Sequence, residues 1–282
     1  MPRHKILDRI LALDPEKDHL EIVYLDNCYE FPFEITRGVE FALFRTFAVP
    51  TISTILDQTG EFQYHAQKRS DDTALILAEI VEHGYDSERG RAAIRRMNKI
   101  HSRFPITNDD YLYVMSTFVF ESIRWVNRFG WRPMTRHEQL AAFYYWRELG
   151  RRMNITSLPT DIDEFERFNV EYERTHFQYT ETNRRVGIAT RDLFLSWYLP
   201  RPLWRLGEPA VYAMMDDPLL DAFGFPRPFP AVRWLVQGGL RARARVVRWL
   251  PERRRPFLRT KVRHPTYPQG YGIEELGPPS SH

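Results

Sequence analysis

The chain has 282 residues, of which 43% are apolar and 14% aromatic, with a formal net charge of +3 and one cysteine. This excludes a disordered polymer and suffices for one sizeable buried core, while the lone Cys28 excludes an internal disulfide and a two-cysteine haem attachment. Charge is uneven: residues 227–263 carry twelve Lys and Arg against one acid, Glu252, a balance of +11, which leaves the remainder at −8.

The first residues, Met1 to Asp8, have no apolar run behind their charges, and no stretch reaches the roughly 18 uncharged apolar residues of a spanning helix. Neither a signal peptide nor a span is expected, and the expected location is the cytoplasm, at most peripheral to a membrane. Residues 1–27 open with an amphipathic turn (Ile6, Ile10, Leu11) and an extended piece from Leu20 to Leu25. Cys28 reads as a buried small hydrophobe. Phe31 to Phe47 and Thr51 to Leu56, separated by Pro50, read as core helices. Gly60 to His65 reads as a turn and a short approach segment. Ser70 and Asp71 then suit the cap of a helix carrying Thr73, Leu75, Ile76, Ile80 and Val81, which Gly84 ends. That puts Arg69 and Thr73 at a helix N-terminus, where anionic groups are favoured; otherwise Arg69 is an ordinary first-turn arginine paired with Asp72.

At 100° per residue, Ala93, Ile94, Met97, Ile100 and Phe104 fall in one sector of the next helix, opposite Arg91, Arg95, Asn98, Lys99 and Ser102. His101 lies at the margin of the apolar sector, so its ring points inward. There it needs a partner, since an unsatisfied buried polar group costs about 1–3 kcal/mol. Three readings stay open: a core histidine bonded to a carbonyl or hydroxyl, a catalytic base with an orienting carboxylate that the sequence does not identify, or an axial ligand to haem iron on a rigid helix.

Pro105 stops that helix, and Thr107 with Asp110 opens the next, Asp109 to Arg128, with Leu112, Met115, Val119, Ile123 and Val126 as its core face. Glu121 interrupts that apolar stretch and is expected to pair with Arg124. Gly130 and Pro133 break the chain before the capping box Thr135-Arg-His-Glu138, whose helix runs through Arg152. His137 sits in its exposed first turn and is a weak ligand candidate. Thr160 with Asp163 opens a partly solvated helix to about Thr175, and Thr182 to Trp197 is amphipathic. Shorter segments follow Pro200 and Pro202. The helix Ala231 to Leu250 mixes apolar residues with Arg241, Arg243, Arg245 and Arg248. It suits either a membrane surface, contacted through 231–263, or docking on the body with a solvated basic face; nucleic acid is not expected. Proline, glycine and basic residues from Pro251 to His282 predict an extended arm packed across the body or a disordered tail.

There is no glycine-rich phosphate loop, His-x-x-x-His pair or Gly-x-Ser-x-Gly elbow. The expected fold is all-α: one large helical domain, with residues 1–226 as its body and residues 227–282 as a basic amphipathic helix and arm packed on it.

The pair Arg69-x-x-x-Thr73, followed in the next helix by an arginine-rich run ending Ile100-His101, resembles the catalytic core of the latex-clearing (rubber) oxygenases and, more closely, the MpaB-type oxygenases. Tyr29-Glu-Phe-Pro-Phe33, Thr46-Phe-Ala-Val-Pro50, Arg96-Met-Asn-Lys-Ile-His101, Phe129-Gly-Trp-Arg-Pro133 and Leu149-Gly-Arg-Arg-Met-Asn-Ile155 are similar to MpaB-type sequences in the same order, and the resemblance runs on to Tyr267-Pro-Gln-Gly-Tyr271. It implies haem b in a globin-like core, with His101 as proximal iron ligand. Arg69 and Thr73 become polar residues beside the haem, Arg69 pairing with a propionate or stabilising negative charge that develops on oxygen. The reaction implied is cleavage of a carbon–carbon double bond of an apolar substrate with O2. Rubber-cleaving relatives carry a lysine directly before the threonine where this chain has Asp72, and their distal glutamate finds no match here, Glu61 fitting it poorly. An isoprenoid or other unsaturated lipid is therefore expected in place of polyisoprene. The alternatives are a haem or lipid carrier without catalysis and a membrane-associated interaction protein.

Overall fold

The structure is a computed structural model that describes residues 4–278. Thirteen α-helices follow one another among the described residues, with no strand. They are α1 (Lys5–Leu11), α2 (His19–Leu25), α3 (Pro32–Thr46), α4 (Pro50–Thr59), α5 (Glu61–His83), α6 (Glu88–His101), α7 (Asn108–Phe129), α8 (Arg136–Arg152), α9 (Ile162–His176), α10 (Glu181–Ser196), α11 (Trp204–Tyr212), α12 (Asp217–Phe223) and α13 (Pro230–Trp249).

Local chemistry places most of these ends. Thr107 accepts from the Asp110 amide at 3.1 Å, and Thr135 with Glu138 closes the capping box of α8. Three local expectations are corrected. Residues 20–25 lie in a helix, continued by one π-type turn at 26–30; burial of His19, Ile22, Val23 and Leu25 along one side of α2 outweighs strand propensity. The cap of α9 is Asp161, whose carboxylate accepts the amides of Asp163 and Glu164. Finally, α5 starts at Glu61 and bends at His65, so Ser70, Asp71 and Arg69 lie well inside it. The cap signal at Asp71 has another use, described below.

The pairing of α3 with α7 forms the spine of the domain. Gly38 allows it, because a Cβ there would sit 2.8 Å from the Ser122 Cα. Phe31, Ile35, Met115, Val119, Ile123 and Val126 fill the seam with Phe143 and Phe165. A second apolar cluster joins α5, α6 and α8 through Leu75, Ile80, Ala93, Met97, Tyr145 and Leu149. A third joins α3 to α10 and α12 through Phe44, Val186 and Phe223.

Two ionic clusters lock the helices. Arg132 reaches Glu30 at 2.7 Å and Glu138 at 2.6 Å, with its guanidinium over the Phe31 ring. Asp26 is buried beside them. Burial and the neighbouring Glu138 raise its carboxyl well above its usual value. Glu121 pairs with Arg124 at 2.9 Å, as its spacing predicts, and Arg45 ties Glu173 to Asp216.

The segment after α13 is an arm strapped along α5 by that helix's own carboxylates. Asp71 accepts from the Thr266 hydroxyl at 2.6 Å, Asp72 from the Tyr267 hydroxyl at 2.5 Å, Glu79 from the Tyr271 hydroxyl at 2.6 Å, and Glu82 from the Thr260 amide at 3.1 Å. Leu276 joins the α5–α6 core. Gly277, at φ +90°, lies against Ile100 where a Cβ would come within 2.4 Å of the Ile100 side chain. This brings Pro278 beside the site described next.

Candidate functional site

A cavity of about 200 Å³ lies between α3, α4, α5, α6, α7 and α8. An apolar cavity of about 150 Å³ already admits a ligand the size of benzene. Its walls are mainly aliphatic and aromatic, among them Ile76, Met97, Ile100, Met115, Phe118 and Trp146. Four polar side chains face it that bear directly on its chemistry: Arg69, Thr73, His101 and Glu61.

α6 delivers His101 as its last residue, one turn beyond Met97 and directly after the buried Ile100, so the helix phase alone aims the ring inward. Nδ1 is buried and has no hydrogen-bond partner, and neither ring nitrogen is bonded among the described residues. The Tyr111 ring stands edge-on to the imidazole with centroids 5.6 Å apart. A helix C-terminus favours an imidazolium, but burial, reinforced by the positive charge of Arg69, wins and lowers His101 to about 4. The ring is thus neutral at physiological pH, the form in which histidine ligates a metal or acts as a base. The first open reading, a core histidine satisfied by a carbonyl or hydroxyl, does not describe it.

The bend of α5 at His65 turns the following helix so that Arg69 and Thr73, one turn apart, face the same cavity. The Thr73 hydroxyl donates to the Arg69 carbonyl at 3.0 Å and accepts from Arg69 Nη1 at 2.9 Å, which fixes the guanidinium along the cavity wall. Asp72 and Glu61 supply the negative potential nearest Arg69, yet no carboxylate comes within ion-pair distance of it among the described residues. The expected pairing with Asp72 is absent. Asp72 faces the arm, bonded to Lys68 at 2.8 Å and to Tyr267. The residue that departs from the rubber-cleaving pattern therefore does structural work outside the cavity.

Glu61, a poor candidate by sequence, is a cavity-wall carboxylate from the first turn of α5. The bend at His65 brings it there, and no local sequence signal announces that bend. Asp110 also reaches the wall, but its oxygens are taken by Thr51, Thr107 and Tyr172 at 2.8–2.9 Å. His137 is excluded from the site: its Nε2 bonds the Leu13 carbonyl at 2.7 Å.

The arrangement combines one unbonded neutral imidazole, one guanidinium without a carboxylate and apolar walls. Chemically it can hold a flat apolar group that carries a cation to be ligated on its face and anionic substituents at its edge. The donor set fits a haem: His101 offers the nitrogen for iron, and Arg69 offers a charge-assisted partner for a propionate.

A model of the family described as "ER-bound oxygenase mpaB/B'/Rubber oxygenase, catalytic domain" matches residues 36–249. The ER-bound oxygenase mpaB' of Penicillium brevicompactum is 30% identical over 239 residues, 78% of this chain and 56% of that protein. The ER-bound oxygenase mpaB of Penicillium roqueforti (strain FM164) is 30% identical over 211 residues, 68% of this chain and 70% of that protein. The chain thus spans little more than half the length of mpaB'. Among solved structures, latex clearing protein in its closed state is similar over 87% of this chain and 70% of that one, at 11% identity and a TM-score of 0.48.

Proposed function

The chain belongs to the family of the ER-bound oxygenases mpaB and mpaB' and the rubber oxygenases, and on that footing we propose that it is a haem-b-dependent oxygenase that cleaves a carbon–carbon double bond of an isoprenoid or other unsaturated lipid with O2. The observation that carries this reading is two groups in one apolar cavity, the His101 imidazole with an unbonded ring nitrogen and the Arg69 guanidinium with no carboxylate at ion-pair distance among the described residues. A buried imidazole nitrogen without a bond and a buried guanidinium without a counter-charge are both costly, and a propionate-bearing iron macrocycle would satisfy both.

His101 would hold the iron, with its neutral state secured by burial and by Arg69. Arg69 would pair with a propionate, and Thr73 keeps the guanidinium in place for it. Haem, once bound, supplies the activation of O2. The chain's own residues do the rest: Met97, Ile100, Phe104, Met115 and Phe118 orient an aliphatic chain and exclude water, and Glu61 is the carboxylate placed to hold or move a proton at the wall. The test is oxygen uptake by haem-supplemented protein with unsaturated isoprenoids. Cleavage to two carbonyl products is expected, and haem-loaded protein that consumes no oxygen with any of them would overturn the oxygenase reading in favour of a carrier.

For its location we propose a membrane surface. Among the described residues no single helix is long and apolar enough to cross a membrane. α13, however, sets Trp234 and Trp249 on one outward face with Arg241, Arg245 and Arg248 between them. Trp234 is 74% exposed and Trp249 86%. Those three arginines have no ion pair among the described residues, whereas Arg243, on the inner side, is bonded to Glu34 at 2.6 Å. Aromatic anchors flanking unpaired cations suit an anionic lipid interface. Sedimentation with phosphatidylserine vesicles is expected to carry the protein down at low salt. Trp234→Ser with Trp249→Ser should weaken this by roughly tenfold or more, and binding that ignores both the variant and the lipid charge would remove the assignment.

A further inference from the structure

A second cavity, of about 130 Å³, lies directly behind the first. Leu43, Thr73, Leu77, Phe118 and Trp146 line both, so the two cavities adjoin, with Phe118 stacked on Trp146 at 4.8 Å where they meet. Much of the second wall is aliphatic, and its polar lining includes Asp26, Asn27, Thr36 and Glu40, Glu82 of α5, and Arg259 of the arm as its one cation among the described residues.

Arg259 is the unexplained group. No carboxylate lies within ion-pair distance of it among the described residues. Its Nη1 makes one long bond, 3.4 Å, to the Thr36 hydroxyl, and its Nε is buried without a partner. Glu40, the charge that most offsets its burial, is bonded to Arg37 at 2.6 Å. Burial raises Glu40 to about 7, which weakens it as a counter-charge. Glu82 spends its carboxylate on the Thr260 amide and hydroxyl. A guanidinium drawn into an apolar cavity without a full counter-charge is expensive unless an anion joins it.

We propose that this second cavity is the subsite for the far end of the substrate, and that this end is a carboxylate: an aliphatic, isoprenoid-type acid whose carboxylate pairs with Arg259 and whose chain passes Leu77 and Phe118 toward His101. This deepens the proposed oxygenase function and rests on it for the reacting end only. A planar monoanion matches the guanidinium fork. A phosphate or diphosphate does not suit the site, since its extra charge would face Glu40 and Glu82. The position of Arg259 also accounts for the arm, whose strapping by Asp71, Asp72, Glu79 and Glu82 holds that guanidinium over the cavity.

The experiment is calorimetric titration of the haem-supplemented full chain with farnesoic acid, its methyl ester and farnesyl diphosphate, with the Soret band recorded in the same samples. The wild type is expected to bind the acid about tenfold or more tighter than either other ligand, the difference one charge-assisted pair makes. Arg259→Met should abolish the preference and Arg259→Lys should keep part of it, with thermal melts confirming that each variant is folded. Equal affinity for acid and ester in the wild type, or an Arg259→Met protein that still prefers the acid, overturns the inference, as does a preference for the diphosphate. Failure of the haem reading shows separately as the absence of a Soret band, and the acid preference remains readable without one.

Discussion

His101→Ala is expected to abolish the Soret band of haem-supplemented protein and, with it, oxygen uptake. Loss of an outer partner of a metal ligand costs roughly 10–100-fold in metal affinity, and loss of the ligand itself should exceed that. The same substitution should leave the haem-free fold intact or slightly firmer, because it deletes a buried ring nitrogen that has no partner. That combination separates a ligand from a core histidine, whose removal would lower the melting temperature and leave the spectrum alone. An unchanged Soret band in the variant would mean that another residue holds the iron. No band in either protein would remove haem from the account altogether.

Arg132→Met should produce the largest loss of stability. One guanidinium, 11% exposed, faces Glu30 and Glu138, with the buried Asp26 alongside. Removing it takes away the counter-charge of the buried Glu138 and the bonds it makes to Glu30, and a buried pair broken on one side costs about 3–5 kcal/mol. The midpoint of denaturant unfolding should fall accordingly. Arg132→Lys should recover little, since an ammonium cannot reproduce the four bonds made by three guanidinium nitrogens. Adding Glu30→Gln to Arg132→Met should restore part of the loss, because the two residues share one interaction. A loss below about 1 kcal/mol, the range of surface pairs, would show that these charges are effectively solvated.

Much of the site was readable because it depends on helix phase. Met97, Ile100 and His101 share a sector of α6, and Arg69 and Thr73 are one turn apart on α5; spacing of this kind survives any uncertainty about how helices pack. The caps at Thr107 and Thr135 and the Glu121–Arg124 pair were legible for the same reason, since their partners lie within four residues.

The features legible before any packing are therefore local and periodic: the helical character, the inward ring of His101, the Arg69–Thr73 pair and the family likeness. The features that had to wait for packing involve partners far apart in the chain. Asp71 and Asp72 read as a cap and an arginine partner, yet they bind Thr266 and Tyr267, nearly two hundred residues away. Glu61 enters the cavity through a bend at His65, and Arg259 reaches a second cavity because four carboxylates of α5 hold the arm in place. Hydrogen bonds and charges act over a few ångströms in space whatever their separation along the chain, so which acid meets which base is settled only when the helices have packed.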